Sequence, residues 1–213
     1  MISVKKHLKI ASIFILLFIA VKINGEEIVV FRGDYLTFGM FGGTQNSPLE
    51  IRYDTEANIY YLFYRIAVTE TPVWIWLNDN DLAIFRRNLQ KFIEWDAIAR
   101  RERANISREL PDSVINPVNI IEGSGYGRVE GGNQLSMSFR FDTDTPATRR
   151  AGMPLLLIYS NRIIRQNAIS NIITIQVLIN LTSSQAQALL AGIEPSNMRR
   201  TIDRVRRQSD LFR

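Results

Sequence analysis

Two aspartates at the ends of similar segments are the first candidates for chemistry in this chain of 213 residues. Asp54-Thr55 ends the segment Ile-Arg-Tyr-Asp-Thr, and Asp142-Thr143 ends the segment Phe-Arg-Phe-Asp-Thr. Two carboxylates that share one proton can act as general acid and general base without a metal. The sequence therefore raises one hypothesis of a hydrolase that is carboxylate-based and metal-independent.

The two Asp-Thr pairs resemble the aspartic proteases, in which each of two lobes contributes one aspartate to the active site. In that family the motif is two apolar residues followed by Asp-Thr/Ser-Gly. Here Arg52 and Arg140 lie two positions before the aspartates, and Glu56 and Asp144 replace the glycine. Alternation along a strand also places each aspartate on the polar face, beside its arginine. We therefore interpret both aspartates as turn residues that close a strand, and we keep the hydrolase as the alternative function.

The scarcity of histidine and cysteine excludes many kinds of active site. The chain has no cysteine, and its only histidine, His7, lies in the N-terminal segment. Without them the remaining chain lacks the ligands of zinc, blue-copper, haem and iron–sulfur sites and the bases of Ser-His and Cys-His nucleophiles. We therefore predict no metal site and no cofactor, and we lean towards a protein that is not an enzyme.

The N-terminus has the pattern of a signal peptide. Lys5, Lys6 and Lys9 precede the uncharged, apolar residues 10–21, a run too short for a typical spanning helix. Residues 1–25 are therefore predicted to be a signal peptide cleaved after Gly25, the alternative being an uncleaved membrane anchor. The prediction implies an exported protein of the periplasm or cell envelope. Four of the 26 basic residues lie within this segment, so the basic pI does not indicate binding of nucleic acid.

Two further segments have incomplete ligand motifs. Residues 142–145 (Asp-Thr-Asp-Thr) match the start of a calcium-binding loop but lack its glycine and distal glutamate. The glycine-rich residues 123–132 lead into a strand rather than a helix, so they lack the helix N-terminus of a phosphate loop. We interpret both segments as turns.

Trp74 and Trp76 share one face of a predicted strand and form a candidate aromatic groove for a carbohydrate or peptide, together with Tyr60, Tyr64 and Trp95. The alternative interpretation is that the two tryptophans pack in the core against the long helix that follows.

The last helix concentrates positive charge. Residues 199–213 contain six arginines and two aspartates, with an apolar stripe of Met198, Ile202, Val205 and Phe212. We predict that five of these arginines bind an acidic partner protein, an anionic lipid or an acidic patch of the protein itself. They are Arg199, Arg200, Arg204, Arg206 and Arg207. The alternative is a solvated helix that only caps the fold.

The order of the predicted elements gives the fold class. Strands are predicted at residues 28–31, 35–41, 49–53, 59–68, 73–77, 114–121, 135–141, 154–159 and 172–181. Asn78 with Asp81 predicts a capped helix to about residue 102, and Thr182 with Gln185 predicts one that ends at Gly192. Pro195 begins the last helix. These elements predict an α+β fold with a mainly antiparallel sheet and a C-terminal amphipathic helix.

The repeated Asp-Thr segments also predict an internal duplication. Residues 26–213 are expected to form a single globular domain of two pseudo-repeats, at about 26–105 and 113–213, each with strands followed by a helix. This order resembles the tandem units of single-strand nucleic-acid binders of the Whirly and PUR type, and the resemblance implies such binding as a third function. A signal peptide disfavours nucleic acid as the partner. The leading hypothesis is an exported, non-enzymatic protein that binds a partner protein or an envelope component.

Overall fold

The structure is a computed structural model that describes residues 27–38, 43–65, 72–112, 120–122, 136–160, 163–166, 172–175 and 177–211. The predicted signal peptide, the glycine-rich residues 123–132 and Phe212 lie outside the described residues. The strands are β1 (Glu27–Phe38), β2 (Thr44–Asp54), β3 (Ile59–Arg65), β4 (Pro72–Leu77), β5 (Ser107–Glu109), β6 (Ile120–Glu122), β7 (Met137–Asp142), β8 (Leu155–Ser160), β9 (Ile163–Gln166), β10 (Ile172–Ile175) and β11 (Leu178–Leu181). The helices are α1 (Asp79–Glu102), α2 (Pro146–Ala151), α3 (Ser183–Gly192) and α4 (Pro195–Asp210).

One large sheet organises the molecule. Nine strands lie in the order β5-β7-β8-β11-β1-β2-β3-β4-β6, and β9 and β10 form a separate hairpin. Every strand pair in the described part of the chain is antiparallel. The predicted α+β class, the antiparallel sheet and the C-terminal helix are therefore confirmed.

The two capping signals read from the sequence act as expected. Asn78 accepts a hydrogen bond from the backbone of Asp81 and Asp81 accepts one from the backbone of Asn78, so a reciprocal capping box begins α1. Thr182 and Gln185 form the same arrangement at the start of α3. Each box satisfies backbone N–H groups that a helix N-terminus otherwise leaves unpaired.

The helices cover one face of the sheet. Alternate residues of the central strands, such as Ile51, Leu62 and Ile75, are buried in the hydrophobic core. The rings of Phe85 on α1 and Phe139 on β7 meet edge to face with centroids 5.0 Å apart. We call this side the helix face and the other side the opposite face.

The two halves of the chain share this core. Strand β6 of the second half pairs with β4 of the first. Helix α1 of the first half packs its aromatic rings on β7 of the second. Conversely, the Phe31 ring of β1 lies so close to Gly192 of α3 that a Cβ at this glycine would overlap it. Each half thus supplies a helix to the strands of the other.

Three predicted elements were wrong. The predicted break at Arg32-Gly33-Asp34 is absent, because β1 continues through it with a bulge between Val29 and Phe31. The predicted strand at 172–181 is two strands: β10 pairs with β9, whereas β11 joins the large sheet. No helix was predicted between the strands at 135–141 and 154–159, but α2 lies there and begins after the N-cap Thr145.

Candidate functional site

Helix α4 is held on the protein body by a narrow apolar stripe. Met198 and Ile202 are buried, and Val205 packs against the core at the next helical spacing. The helix contacts β1 and α3. Asn197 also donates a hydrogen bond of 2.7 Å from Nδ2 to the carbonyl oxygen of Ala191. These contacts fix which side of α4 points away from the body.

The outward side carries the five predicted arginines, which we call the arginine face: Arg199, Arg200, Arg204, Arg206 and Arg207. All five are exposed, and none forms an ion pair within 4.0 Å with any residue that the structure describes. Arg207 donates from Nε to the carbonyl oxygen of Asp203, and the guanidinium carbon of Arg206 lies 6.0 Å from the ring centroid of Tyr53. No carboxylate among the described residues therefore forms a direct ion pair with these arginines.

The charge within α4 is predominantly positive. Its first turn contains no acidic residue, and the acidic N-cap residue Glu194 makes no side-chain capping hydrogen bond. The only acidic residues within α4 are Asp203 and Asp210, against five arginines. The helix thus presents a net positive, solvent-facing surface that attracts anions or acidic side chains.

A cavity of about 350 Å³ lies near the arginine face, lined by residues that include Asn58, Tyr60, Asp79 and Asp81. The pKa of Tyr60 is raised, first by burial and then by the charges of Asp79 and Tyr53, whereas the charge of Arg199 lowers it. Arg199 is therefore near enough to act on Tyr60, and the cavity places carboxylates beside the basic surface.

Asp81, which lines this cavity, is almost fully buried, at 3% exposure. Its Oδ2 accepts a hydrogen bond of 2.9 Å from the backbone of Asn78. Its Oδ1 has no hydrogen-bond partner within the described ranges. Burial raises the pKa of Asp81, and the backbone hydrogen bond from Asn78 lowers it by a smaller amount. We assign Asp81 to capping of α1.

The two aspartates of the repeated segments are far apart. Asp54 ends β2 and Asp142 ends β7, and β8, β11 and β1 lie between these strands. Neighbouring strands are about 4.8 Å apart, so β2 and β7 are separated by roughly 19 Å. Carboxylates that share a proton lie about 3 Å apart. Asp54 and Asp142 therefore cannot form the shared-proton pair that motivated the hydrolase hypothesis.

The side-chain oxygens of Asp142, Thr143 and Thr145 form hydrogen bonds within the fold, whereas Asp144 is exposed. Oδ1 of Asp142 accepts hydrogen bonds from the backbones of Asp144 and Thr145, and its Oδ2 accepts one from Ser107. The hydroxyl of Thr143 bonds to the backbone of Ile106, and that of Thr145 caps α2. No group of three or more acidic or histidine side chains suited to a metal ion occurs in the part of the chain searched.

Trp74 and Trp76 lie on the opposite face of the sheet. Val73, Ile75 and Leu77 take the alternate, buried positions of β4. The tryptophans are partly exposed and therefore do not pack against α1, contrary to the core interpretation. Tyr60 and Tyr64 lie on the helix face, and Trp95 lies on α1, so the five aromatic residues of the predicted groove are not brought together.

The neighbours of the two tryptophans are instead Tyr61 and Phe63 of β3. The ring centroids of Phe63 and Trp74 are 5.1 Å apart, and those of Tyr61 and Trp76 are 6.1 Å apart. We call these four residues the aromatic patch. Tyr61 and Phe63 were not among the predicted site residues, although apolar residues on both faces of β3 are the signal for a second covered surface.

Arginine borders the aromatic patch. The guanidinium carbon of Arg52 lies 4.0 Å from the centroid of the Phe63 ring, which is a cation–π contact. Arg52 also pairs with Glu50 and Glu27, at 2.8 Å and 3.0 Å. Arg32 pairs with Glu50 from the other side and is 71% exposed. The patch thus combines stacked rings with a charged border.

Comparison with protein-family models, with curated proteins and with solved structures finds no match for this chain. Of the helices that the structure describes, none is long and apolar enough to cross a membrane.

Proposed function

We propose that this protein is exported, is not an enzyme, and binds an acidic partner protein or an anionic envelope component through the arginine face. The proposed place of action is the periplasm or cell envelope, and it rests on the signal-like composition of residues 1–25. The observation that carries the proposal is the arginine face itself: five exposed guanidinium groups on a helix anchored by buried Met198 and Ile202.

Anchoring matters because a fixed helix loses little freedom when it binds. Arginine offers a planar fork of donors that pairs with carboxylate or phosphate through two hydrogen bonds. Several such groups on one rigid surface steer an acidic partner by long-range attraction and then hold it by charge-assisted hydrogen bonds. Both effects weaken as salt is added.

The experiment that tests the proposal separates the two kinds of target. The full chain is mixed with envelope proteins from fractionated cells, and separately with vesicles of anionic or zwitterionic phospholipid. Salt-sensitive capture of one acidic protein supports a protein partner, and binding to anionic vesicles alone supports an envelope lipid. If neither occurs at low salt, the proposal is wrong.

We further propose that the fold arose from a duplicated unit. Eight of the nine strands of the sheet form the sets β5-β7-β8-β11 and β1-β2-β3-β4, with β6 added beside β4, and a capped helix follows β4 and β11. The register of the strand pairs supports the equivalence of β1-β2 with β5-β7. Asp54 of β2 pairs with the first residue of β1, and Asp142 of β7 pairs with the first residue of β5. The similar Arg-aromatic-Asp-Thr segments occupy β2 and β7, the second strand of each set.

A second candidate function is binding of single-stranded nucleic acid on the opposite face. The specific observation in its favour is the pair of partly exposed rings of Trp74 and Trp76, which lie on the buried Tyr61 and Phe63 beside Arg52. Nucleic-acid binders of this type stack bases on exposed rings and hold phosphates with arginine. The predicted export makes it second to the partner-binding proposal.

A further inference from the structure

Strand β5 lies at one edge of the large sheet, and no strand of the described residues lies beyond it. It pairs with β7 on one side and is the terminal strand of the large sheet. The backbones of Ile106 and Leu110 bond to Thr143 and Phe139 of the β7 segment. In an antiparallel ladder the intervening residues point their N–H and C=O groups the other way. Ser107 and Glu109 therefore direct two N–H and two C=O groups outward, and all three residues of β5 are exposed.

An apolar groove lies beside this edge. It has a volume of about 230 Å³ and lies between the end of α1 and β5. We call it the edge groove, and its lining residues are Trp95, Ile98, Ala99, Ile106, Arg108 and Phe141. Ile98 is 46% and Ile106 is 42% exposed, which is unusual for large apolar side chains in this molecule. An exposed apolar surface that adjoins a free strand edge is a typical site for a partner.

The charge around the edge groove indicates what fits it. Arg108 lies with its guanidinium carbon 5.8 Å from the Trp95 ring centroid. Arg108 forms no ion pair with another described residue. A second copy of this chain that paired antiparallel through β5 would bring two Arg108 side chains against each other, whereas an acidic segment would neutralise Arg108.

We propose that the edge of β5 and the edge groove together bind an extended, acidic segment of a partner protein by strand addition. The segment pairs with the outward N–H and C=O groups of Ser107 and Glu109. Successive side chains of a strand point to opposite faces, so one apolar side chain of the segment enters the edge groove. An acidic side chain two positions away points to the same face and meets Arg108, which also lines the edge groove.

This surface does not depend on the arginine face. Strand β5 is the end of the sheet, and β7, β8 and β11 separate it from β1, which α4 contacts. If one of the two surfaces does not bind a partner, binding at the other can therefore still be tested. Substituting the arginines of α4 leaves strand addition at β5 unchanged.

The test uses a synthetic peptide that alternates glutamate with isoleucine and carries one central phenylalanine in a glutamate position, so that the phenylalanine and its nearest glutamates share one face. Its control has the same sequence but carries N-methyl groups that block strand pairing. Binding to the full chain is measured by calorimetry. Glu109→Pro removes the outward N–H without touching a ladder bond to β7, and Glu109→Ala removes the same side chain but keeps the N–H. Ile98→Gln replaces an apolar side chain that lines the edge groove with a polar one, at an exposed position of α1.

The proposal predicts that the peptide binds and that its N-methylated form does not. Glu109→Pro weakens binding about tenfold or more relative to Glu109→Ala, because one donor is lost and its partner carbonyl is left unpaired. Ile98→Gln also weakens binding although the fold is kept. Equal binding of both peptides overturns strand addition. Absence of peptide binding overturns the proposal. The proposal is also overturned if the free chain self-associates and Glu109→Pro abolishes that self-association, because a second copy of the chain then occupies the edge of β5.

Discussion

Asp54 and Asp142 accept the same pair of backbone hydrogen bonds at the ends of two strands. Oδ1 of Asp54 accepts from the N–H groups of Glu56 and Ala57, both at 2.9 Å. Oδ1 of Asp142 accepts from the residues two and three positions ahead of it, at 2.9 Å and 3.0 Å. Each carboxylate thus closes a strand into a turn, which is a common structural use of aspartate. The two aspartates that suggested a paired active site therefore stabilise turns.

The two aspartates differ in burial, and this difference predicts different effects on stability. Asp142 is fully buried and also bonds to Ser107, whereas Asp54 is partly exposed. Asp142→Ala is expected to lower the free energy of unfolding by about 3 kcal/mol, because it leaves buried donors unpaired, and Asp54→Ala by about 1 kcal/mol. Urea denaturation measures both. Asp144→Ala, at an exposed position, is the control with little effect. An equal loss at the two positions would contradict the assignment.

The raised pKa of Asp81 predicts a dependence of stability on pH. Its ordinary value is 3.8, and burial raises the pKa in the folded protein. The folded state therefore holds the proton more tightly than the unfolded chain. The free energy of unfolding then falls as pH rises through the interval between the two pKa values. Asp81→Asn removes this loss, because the amide stays neutral and keeps an oxygen for the Asn78 backbone.

The measurement is urea denaturation of the wild type and Asp81→Asn at about pH 4 and pH 7. The variant is expected to gain stability relative to the wild type as pH rises. Asp79→Asn is the matched control at an exposed first-turn position, and it should lose about 0.5 kcal/mol through the helix dipole. If Asp81→Asn is the less stable protein at neutral pH, the carboxylate is not penalised by burial.

The aromatic patch gives a test of the second candidate function. That candidate predicts that the protein retards a thymidine oligonucleotide in a gel at low salt and that binding weakens steeply as salt rises. Trp74→Ala should weaken binding by about 1–3 kcal/mol, because one stacked base loses its platform. Leu178→Ala, at an exposed position on the same face, is the control. Absence of retardation at low salt rules the candidate out.

Export predicts a shortened protein in cells. Cleavage after Gly25 leaves Glu26 as the N-terminal residue, and mass spectrometry of the protein from an envelope or periplasmic fraction measures this directly. An intact N-terminus in a membrane fraction would instead indicate an uncleaved anchor.

Local signals predicted the elements that depend on neighbouring residues. The capping pairs Asn78 with Asp81 and Thr182 with Gln185 begin α1 and α3, because a capping box is complete within four residues. Met137, Phe139 and Phe141 of β7 are buried in the core, as the alternation of apolar and polar residues in this segment indicates, because side chains two positions apart share one face of a strand.

Features that depend on distant parts of the chain were not predictable. Gly33 favours a break between the predicted strands 28–31 and 35–41, but Gly33 pairs with Leu49 of β2 and the strand continues. Likewise, α1 packs on β7 although β7 belongs to the other half, so the tryptophans of β4 remain on the opposite face. Alternation indicates that Trp74 and Trp76 share one face of β4. Whether this is the helix face or the opposite face depends on how both halves of the chain pack together.

The arginine face was predictable as a set because its residues lie within one helix. The sequence placed Met198, Ile202 and Val205 on one stripe, and the structure buries the first two and packs the third against the core. What the sequence did not indicate is the lack of ion pairs to the described part of the body, since such pairs depend on which acidic side chains the fold brings near.

The most direct test of the central claim compares two variants that each lose three positive charges. Arg200→Gln/Arg204→Gln/Arg207→Gln removes charge from α4, and Arg101→Gln/Arg149→Gln/Arg150→Gln removes it from exposed positions elsewhere. The measurement is the dissociation constant for the captured envelope target at low salt. We predict at least about tenfold weaker binding for the α4 variant and little change for the control, because only the former loses contacts with the target. Equal affinity of the two variants would contradict a binding role for the arginine face.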